Sequence, residues 1–282
     1  MSQPRPRLPL RVFDTVQGIY RLAFEHAGVL VRLSWLSAAL SVVATAGAAY
    51  ILPPLLGVDL SGAVSQVIDA AFGAVIAAGV HRFVIHGHRP VSFYYFRATR
   101  EEALFMIAAL LFLAAWVAGN ALVSAVLVAL GLVRSGEGGA LAVNPVAGAI
   151  SVITLATGLY FTVRASLVFP VITAEHRASF SRAIALTGGR FFGVFGIYFL
   201  ASLPALAILF LLSGLISPIV FEVKPDQSVA VRPESWWAIG LFQFVGTIIA
   251  ASISGVTLAR TYLAITAGPR IIQAVGTSPG EP

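Results

Sequence analysis

Six apolar stretches, each long enough to cross a bilayer, alternate along this chain with connections whose arginines gather almost entirely in every second one. They run over Gly28 to Leu52, Ala63 to Val84, Ala103 to Val133, Val146 to Thr173, Phe191 to Ile219 and Trp236 to Ala264. A helix of about 20 apolar residues spans the roughly 30 Å of a hydrocarbon core, so every stretch qualifies. The pattern predicts an all-α fold, a polytopic membrane bundle of six transmembrane helices. In that solvent each polar side chain at membrane depth needs a partner, a cavity or a ligand.

Composition excludes the main alternative. Of the 282 residues, 58% are hydrophobic and only 11% charged, against about 25% charged in soluble domains. A water-exposed globule of this composition would leave its apolar surface uncovered. The net charge of +6 could point to nucleic acid. However, the arginines flank apolar spans instead of forming one basic stripe, so anionic phospholipid is the expected counter-charge, with no nucleic-acid partner. The absence of cysteine excludes disulfides and thiolate chemistry. The opening residues carry arginines but no apolar run or small-residue cleavage site, so no cleaved signal peptide is expected.

Charge asymmetry sets the expected orientation. Of the 18 cations, 15 fall before the first span, after the second, around the exit of the fourth and after the sixth. Pro53 to Gly62, Arg134 to Asn144 and Val220 to Ser235 hold only Arg134, Lys224 and Arg232 as cations beside Asp59, Glu137, Glu222, Asp226 and Glu234. The positive-inside rule therefore places both termini in the cytoplasm of a bacterial inner membrane. The chain divides into a cytoplasmic segment 1–27, a transmembrane domain 28–264 and a cytoplasmic tail 265–282.

Three amphipathic cytoplasmic lead-ins, Phe13 to His26, Phe93 to Glu102 and Phe180 to Arg190, are expected to lie as helices in the headgroup plane. Ser179 is the N-cap of the third, and Gly188 and Gly189 turn the chain into the bilayer. The spacing of Phe13, Phe93 and Phe180, and of Arg82, Arg164 and Arg260, fits three repeated hairpins, though any alternating membrane hairpin gives a similar pattern.

Phe13, the run Tyr20 to Phe24, and the segment VRASLVFPVITAEHRASFSRAIALTGGRFFGVFGIYFLASLP, together with the six-span layout, resemble the bacterial YciC-like membrane family. That family is similar to the membrane module of some glycerophosphodiester phosphodiesterases. The resemblance centres on Arg164 to Pro204 and implies a multi-pass protein without an assigned reaction. It transfers no catalytic residue.

Intramembrane charges are the remaining leads. Arg164 falls about eight residues inside the fourth span, roughly 12 Å at 1.5 Å per residue. Three readings stay open for it. It snorkels to the headgroups, it lines with Arg260 a groove for a lipid phosphate, or it pairs with Asp69, Glu101 or Glu102. Arg182 and Arg190 join Arg164 and Arg260 as candidate headgroup ligands. Asp69 is the one acid well inside a span, on the same helix as a ridge of small residues, Ala70, Gly73, Ala74, Ala77 and Ala78, expected to pack tightly.

Other chemistry is weaker. His81, His86 and His88 have no carboxylate at ligand spacing, and Gly87 and Pro90 end their helix, so no metal and no cofactor are expected. The run SISG at Ser252 to Gly255 resembles a rhomboid-type nucleophile motif but has serine where glycine belongs, and no histidine follows His176 to act as base. Pro204 could kink or break the fifth span. The sequence thus points away from an enzyme. It favours a lipid-engaging membrane organiser or partner subunit, as a homo-oligomer or within a membrane complex, with a lipid transporter or channel as the alternative.

Overall fold

The computed structural model describes residues 10–56, 61–90, 92–97, 99–131, 133–135, 141–143, 145–223 and 229–267. Arg5, Arg7, Asp59, Glu137, Lys224, Asp226, Arg270 and nearly all of the 265–282 tail lie outside them. The chain opens with α1 (Val12–Glu25), then α2 (Ala27–Leu56), α3 (Ser61–His86) and α4 (Arg100–Ala129). A two-stranded hairpin, β1 (Val133–Ser135) and β2 (Leu141–Val143), leads to α5 (Pro145–Ala165), α6 (Val168–Glu175), α7 (Phe180–Thr187) and α8 (Phe191–Val220). A second hairpin, β3 (Phe221–Val223) and β4 (Val229–Val231), precedes α9 (Trp236–Thr266). Both hairpins are antiparallel, pairing Val133 with Val143 and Phe221 with Val231, and both lie at the arginine-poor end.

Six segments are long and apolar enough to cross a membrane: Ala27–Ile51, Gly62–His86, Arg100–Ala129, Pro145–Glu175, Phe191–Val220 and Trp236–Thr266. Their outward faces are strongly apolar, with Phe210 79% and Leu215 72% exposed. Such faces are stable against lipid tails and not against water. This is a multi-pass membrane protein.

Helices α3 and α9 form the centre, since both contribute to each of two buried clusters. One cluster joins them to α1, α2 and α8 through Ile19, Leu33, Val80, Ile197 and Val256. The other joins them to α4, α6 and α7 through Ala78, Phe105, Val171, Ala183 and Tyr262. Gly255 permits the close approach of α9 to α3, because a Cβ there would lie 2.9 Å from Val80 Cγ1. The small-residue ridge behaves unevenly. Ala74 and Ala78 are buried, but a Cβ at Gly73 would meet nothing within 4 Å.

The fourth span is two helices. It breaks at Ser166 and Leu167, and Pro170 supplies the reason, because its ring lacks an N–H and clashes with the carbonyl four residues back, that of Ser166. Pro204, by contrast, sits inside an unbroken α8. Near it, the Tyr20 hydroxyl of α1 donates to the Ala201 carbonyl at 2.5 Å, one residue past the carbonyl that Pro204 leaves without its helical donor. A second difference concerns Phe93 to Glu102. Residues 92–97 are irregular, and helix begins only at Arg100. The first and third lead-ins do form helices, α1 and α7. Ser179 caps α7, its hydroxyl accepting the Arg182 amide at 3.3 Å. The second hairpin thus lacks the helical lead-in that a threefold repeat would require.

Replacing Gly255 by valine forces Val80 aside and is expected to cost about 1–3 kcal/mol. Gly73→Ala should be tolerated, with a gain of up to about 1 kcal/mol from helix propensity. Thermal unfolding of the detergent-solubilised chain separates the two.

Candidate functional site

The α3–α4 connection carries the densest polar network among the described residues. Helix α3 ends at Gly87, whose φ of +71° suits glycine, and the amides of Gly87 and His88 turn back onto the carbonyls of Phe83 and Arg82 at 3.0 and 3.4 Å. The chain then folds back along the bundle. Tyr95 lies against Gly79, where a Cβ would come within 2.8 Å of its ring. Gly79 is seven residues before the end of α3, so the segment retraces about 10 Å of the helix. Trp35 of α2 holds the other side, with its indole Nε1 donating to the Phe93 carbonyl at 2.9 Å and its ring 5.4 Å from that of Phe93.

Arg82 organises the turn. Its Nε donates to Glu101 Oε2 at 3.0 Å and its Nη2 lies 2.9 Å from the same oxygen. Its Nη1 contacts Glu102 Oε1 and the Tyr95 hydroxyl, and Nη2 reaches Thr99 Oγ1 at 3.2 Å. Glu102 Oε2 accepts the Thr99 amide at 3.1 Å and the Thr99 hydroxyl, a capping-box arrangement that starts α4. The side chains of Arg82, Glu101 and Glu102 are 10%, 13% and 4% exposed. Burial pushes the Tyr95 hydroxyl up to about 12, so it remains a protonated donor at neutral pH, bonding Glu102 Oε1 at 3.1 Å.

Above this cluster, the folded-back segment and α3 enclose a cavity of about 160 Å³ lined by Arg82, His88, Arg89, Ser92, Tyr95 and Arg97, among others. Arg89 and Arg97 are exposed, and neither has an acidic partner among the described residues. Two carboxylates against one guanidinium leave the Arg82 cluster with a formal charge of −1, so the positive charge at the cavity comes from Arg89 and Arg97 alone. Tyr94 and Phe96, 58% and 48% exposed, also line it, and Phe93 of the same segment, 70% exposed, packs its ring on that of Trp35.

The arginines singled out from sequence occupy other positions. Arg164 lies one residue before the end of α5 and is engaged by the protein. Its Nη1 donates to the Tyr160 hydroxyl at 2.8 Å, Nη2 to the Ile184 carbonyl at 3.0 Å and Nε to Thr187 Oγ1 at 3.3 Å. It therefore holds the C-terminal end of α7, where a cation complements the helix dipole. Its salt-bridge reading is overturned, because Glu101 and Glu102 belong to Arg82 and Asp69 lies elsewhere. Arg260 is 5% exposed on α9, in the field of Glu25 at the end of α1. Arg21 and, less strongly, Arg260 hold the Glu25 carboxyl below its usual range. Arg182 Nε donates to Glu175 Oε1 at 3.2 Å, while Arg177 takes the other oxygen of that carboxylate at 3.2 Å. Arg190 occupies the N-cap position of α8 without a side-chain capping hydrogen bond. Arg164 and Arg260 thus answer to different elements, α7 and α1.

Asp69 sits where α2, α3 and α9 meet. Ser41 Oγ donates to its Oδ1 at 2.6 Å, and Gln243 Nε2 to the same oxygen at 3.1 Å. The three histidines do not form one cluster, although the rings of His86 and His88 lie 5.9 Å apart. His81 is fully buried with its ring 5.3 Å from that of Phe105, whereas His86 Nε2 donates to the Thr173 carbonyl at 3.1 Å. Among the described residues no group of three or more His, Asp or Glu side chains is arranged around a metal.

Sequence reasoning missed the Arg82 cluster and its cavity; two signals could have found the cluster, T-x-x-E at Thr99 to Glu102 and an arginine one turn from the end of the preceding helix. Antiparallel packing of α3 and α4 brings them together. No family model, no curated protein and no solved structure matches this chain.

Removing Arg82 strands two buried carboxylates, so Arg82→Ala should cost about 3–5 kcal/mol. Combining Arg82→Met with Glu101→Gln and Glu102→Gln should recover most of that loss in thermal unfolding. Arg164→Ala should instead loosen α7 alone, seen as faster amide exchange over Phe180–Thr187 with α2, α3 and α9 unchanged.

Proposed function

We propose that this protein is a non-enzymatic, multi-pass inner-membrane protein whose arginine-rich end faces the cytoplasm and engages anionic phospholipid headgroups. It would act as an organiser of the membrane or as a partner subunit. The observation that carries this reading is the folded-back segment 92–97. Three exposed aromatic side chains bracketed by Arg89, Arg97 and Arg100 sit at the end of the membrane-spanning helices. Aromatic rings favour the headgroup level of a bilayer. Arginines beside an anionic surface each contribute about 1 kcal/mol of attraction. The YciC-like resemblance of Arg164 to Pro204 is compatible with this reading and belongs to the proposal.

The chain has no cysteine, so single cysteines report orientation without background. In right-side-out vesicles a membrane-impermeant maleimide should label a cysteine placed at Asp59 and spare one at Ser92. Inverted vesicles should reverse the pattern. Labelling of Ser92→Cys from outside would refute the cytoplasmic assignment of the arginine-rich end.

A further inference from the structure

The cavity between α3 and the folded-back segment has the size and charge of a site for one phosphate group. Cavities of about 150 Å³ accept a six-carbon ring, and this one measures about 160 Å³. Its lining combines two exposed guanidinium groups that have no carboxylate among the described residues, Arg89 and Arg97, with the hydroxyl of Ser92 and the imidazole of His88. Guanidinium groups bind phosphate oxygens through paired, charge-assisted hydrogen bonds, and hydroxyls supply further donors. The floor is rigid, because Arg82 and Tyr95 are locked to Glu101 and Glu102. A rigid floor limits the ordering cost of binding. The exposed rings of Tyr94 and Phe96 in the lining supply apolar surface of the kind that meets the glycerol and upper acyl region of a lipid.

We infer that Arg89 and Arg97, with Ser92, form a discrete binding site for the phosphate of an anionic phospholipid at the α3–α4 turn. The inference rests on the anionic-lipid reading above and narrows it from a diffuse basic face to one saturable site. The same chemistry would also recognise a free phosphate ester, and the test separates the two sources.

The full-length chain in detergent is titrated with phosphatidylglycerol or phosphatidylcholine, and native mass spectrometry counts bound lipid. The wild type should take up one phosphatidylglycerol saturably in preference to phosphatidylcholine. The double substitution R89A/R97A should weaken that uptake about tenfold, as expected for losing charge-assisted contacts. R177A/R182A, at the same end of the molecule, should leave it unchanged. Ser92→Trp keeps both arginines but fills the cavity, and should abolish uptake. Thermal unfolding verifies that each variant is folded. Competition by millimolar glycerol 3-phosphate would assign the site to the phosphate alone, whereas binding that resists it assigns the site to the intact lipid. Uptake that survives R89A/R97A or Ser92→Trp but falls in R177A/R182A would overturn the site and leave the diffuse basic face standing. A wild type that binds both lipids equally would overturn the anionic-lipid reading itself.

Discussion

One guanidinium near the end of a membrane helix cannot be left without counter-charge, and Arg82 meets that demand by drawing Glu101 and Glu102 onto α3. The consequence is geometric. The start of α4 is fixed against the end of α3, so the intervening residues must fold back along the bundle instead of reaching into solvent. Gly79 makes room for the Tyr95 ring, and Trp35 anchors the Phe93 carbonyl. A buried ion pair of this kind adds little net stability over apolar packing, because desolvation offsets most of the attraction. Here it specifies one path of the chain, and that path creates the cavity and presents the aromatic rings.

The two ends of the molecule are built differently. At the arginine-rich end, the short helices α1, α6 and α7 fill spaces around the long ones, and side chains bond to backbone carbonyls: Tyr20 to Ala201, Arg164 to Ile184, His86 to Thr173. At the opposite end, β-hairpins lie between α4 and α5 and between α8 and α9, and α4 and α5 expose most of their apolar side chains. Proline contributes to the first design. By breaking the fourth span at Ser166, Pro170 sets α6 as a separate piece, and its Val168, Val171 and Ile172 become fully buried. Asp69 shows the same economy within the span. Ser41 and Gln243 share its carboxylate, so a polar group in an apolar region is satisfied by neighbouring helices.

Apolar length, arginine asymmetry and the cap signal at Ser179 are local properties, and the six spans and the short α7 follow from them, whereas the helical lead-in expected over Phe93 to Glu102 gave way to an irregular turn capped at Thr99. The hairpins at the arginine-poor end carry no comparable signal, since three-residue strands alternate too briefly to register. Positions of isolated charges were legible too, and for Arg164 they left snorkelling, a phosphate groove and an ion pair open. Which partners it takes was not legible. Hydrogen-bond reach is a few ångströms, and residues 20 or more apart in the chain, such as Arg164 and Ile184 or Arg82 and Glu102, meet only because of how the helices pack. The sequence by itself determined that the chain crosses a membrane as six apolar segments, because hydrophobicity is summed residue by residue along the chain. Only the tertiary structure decided that Arg82 rather than Arg164 holds the acids, and that Arg89 and Arg97 border a cavity, because ion pairs and cavities depend on distances between helices that linear spacing does not encode.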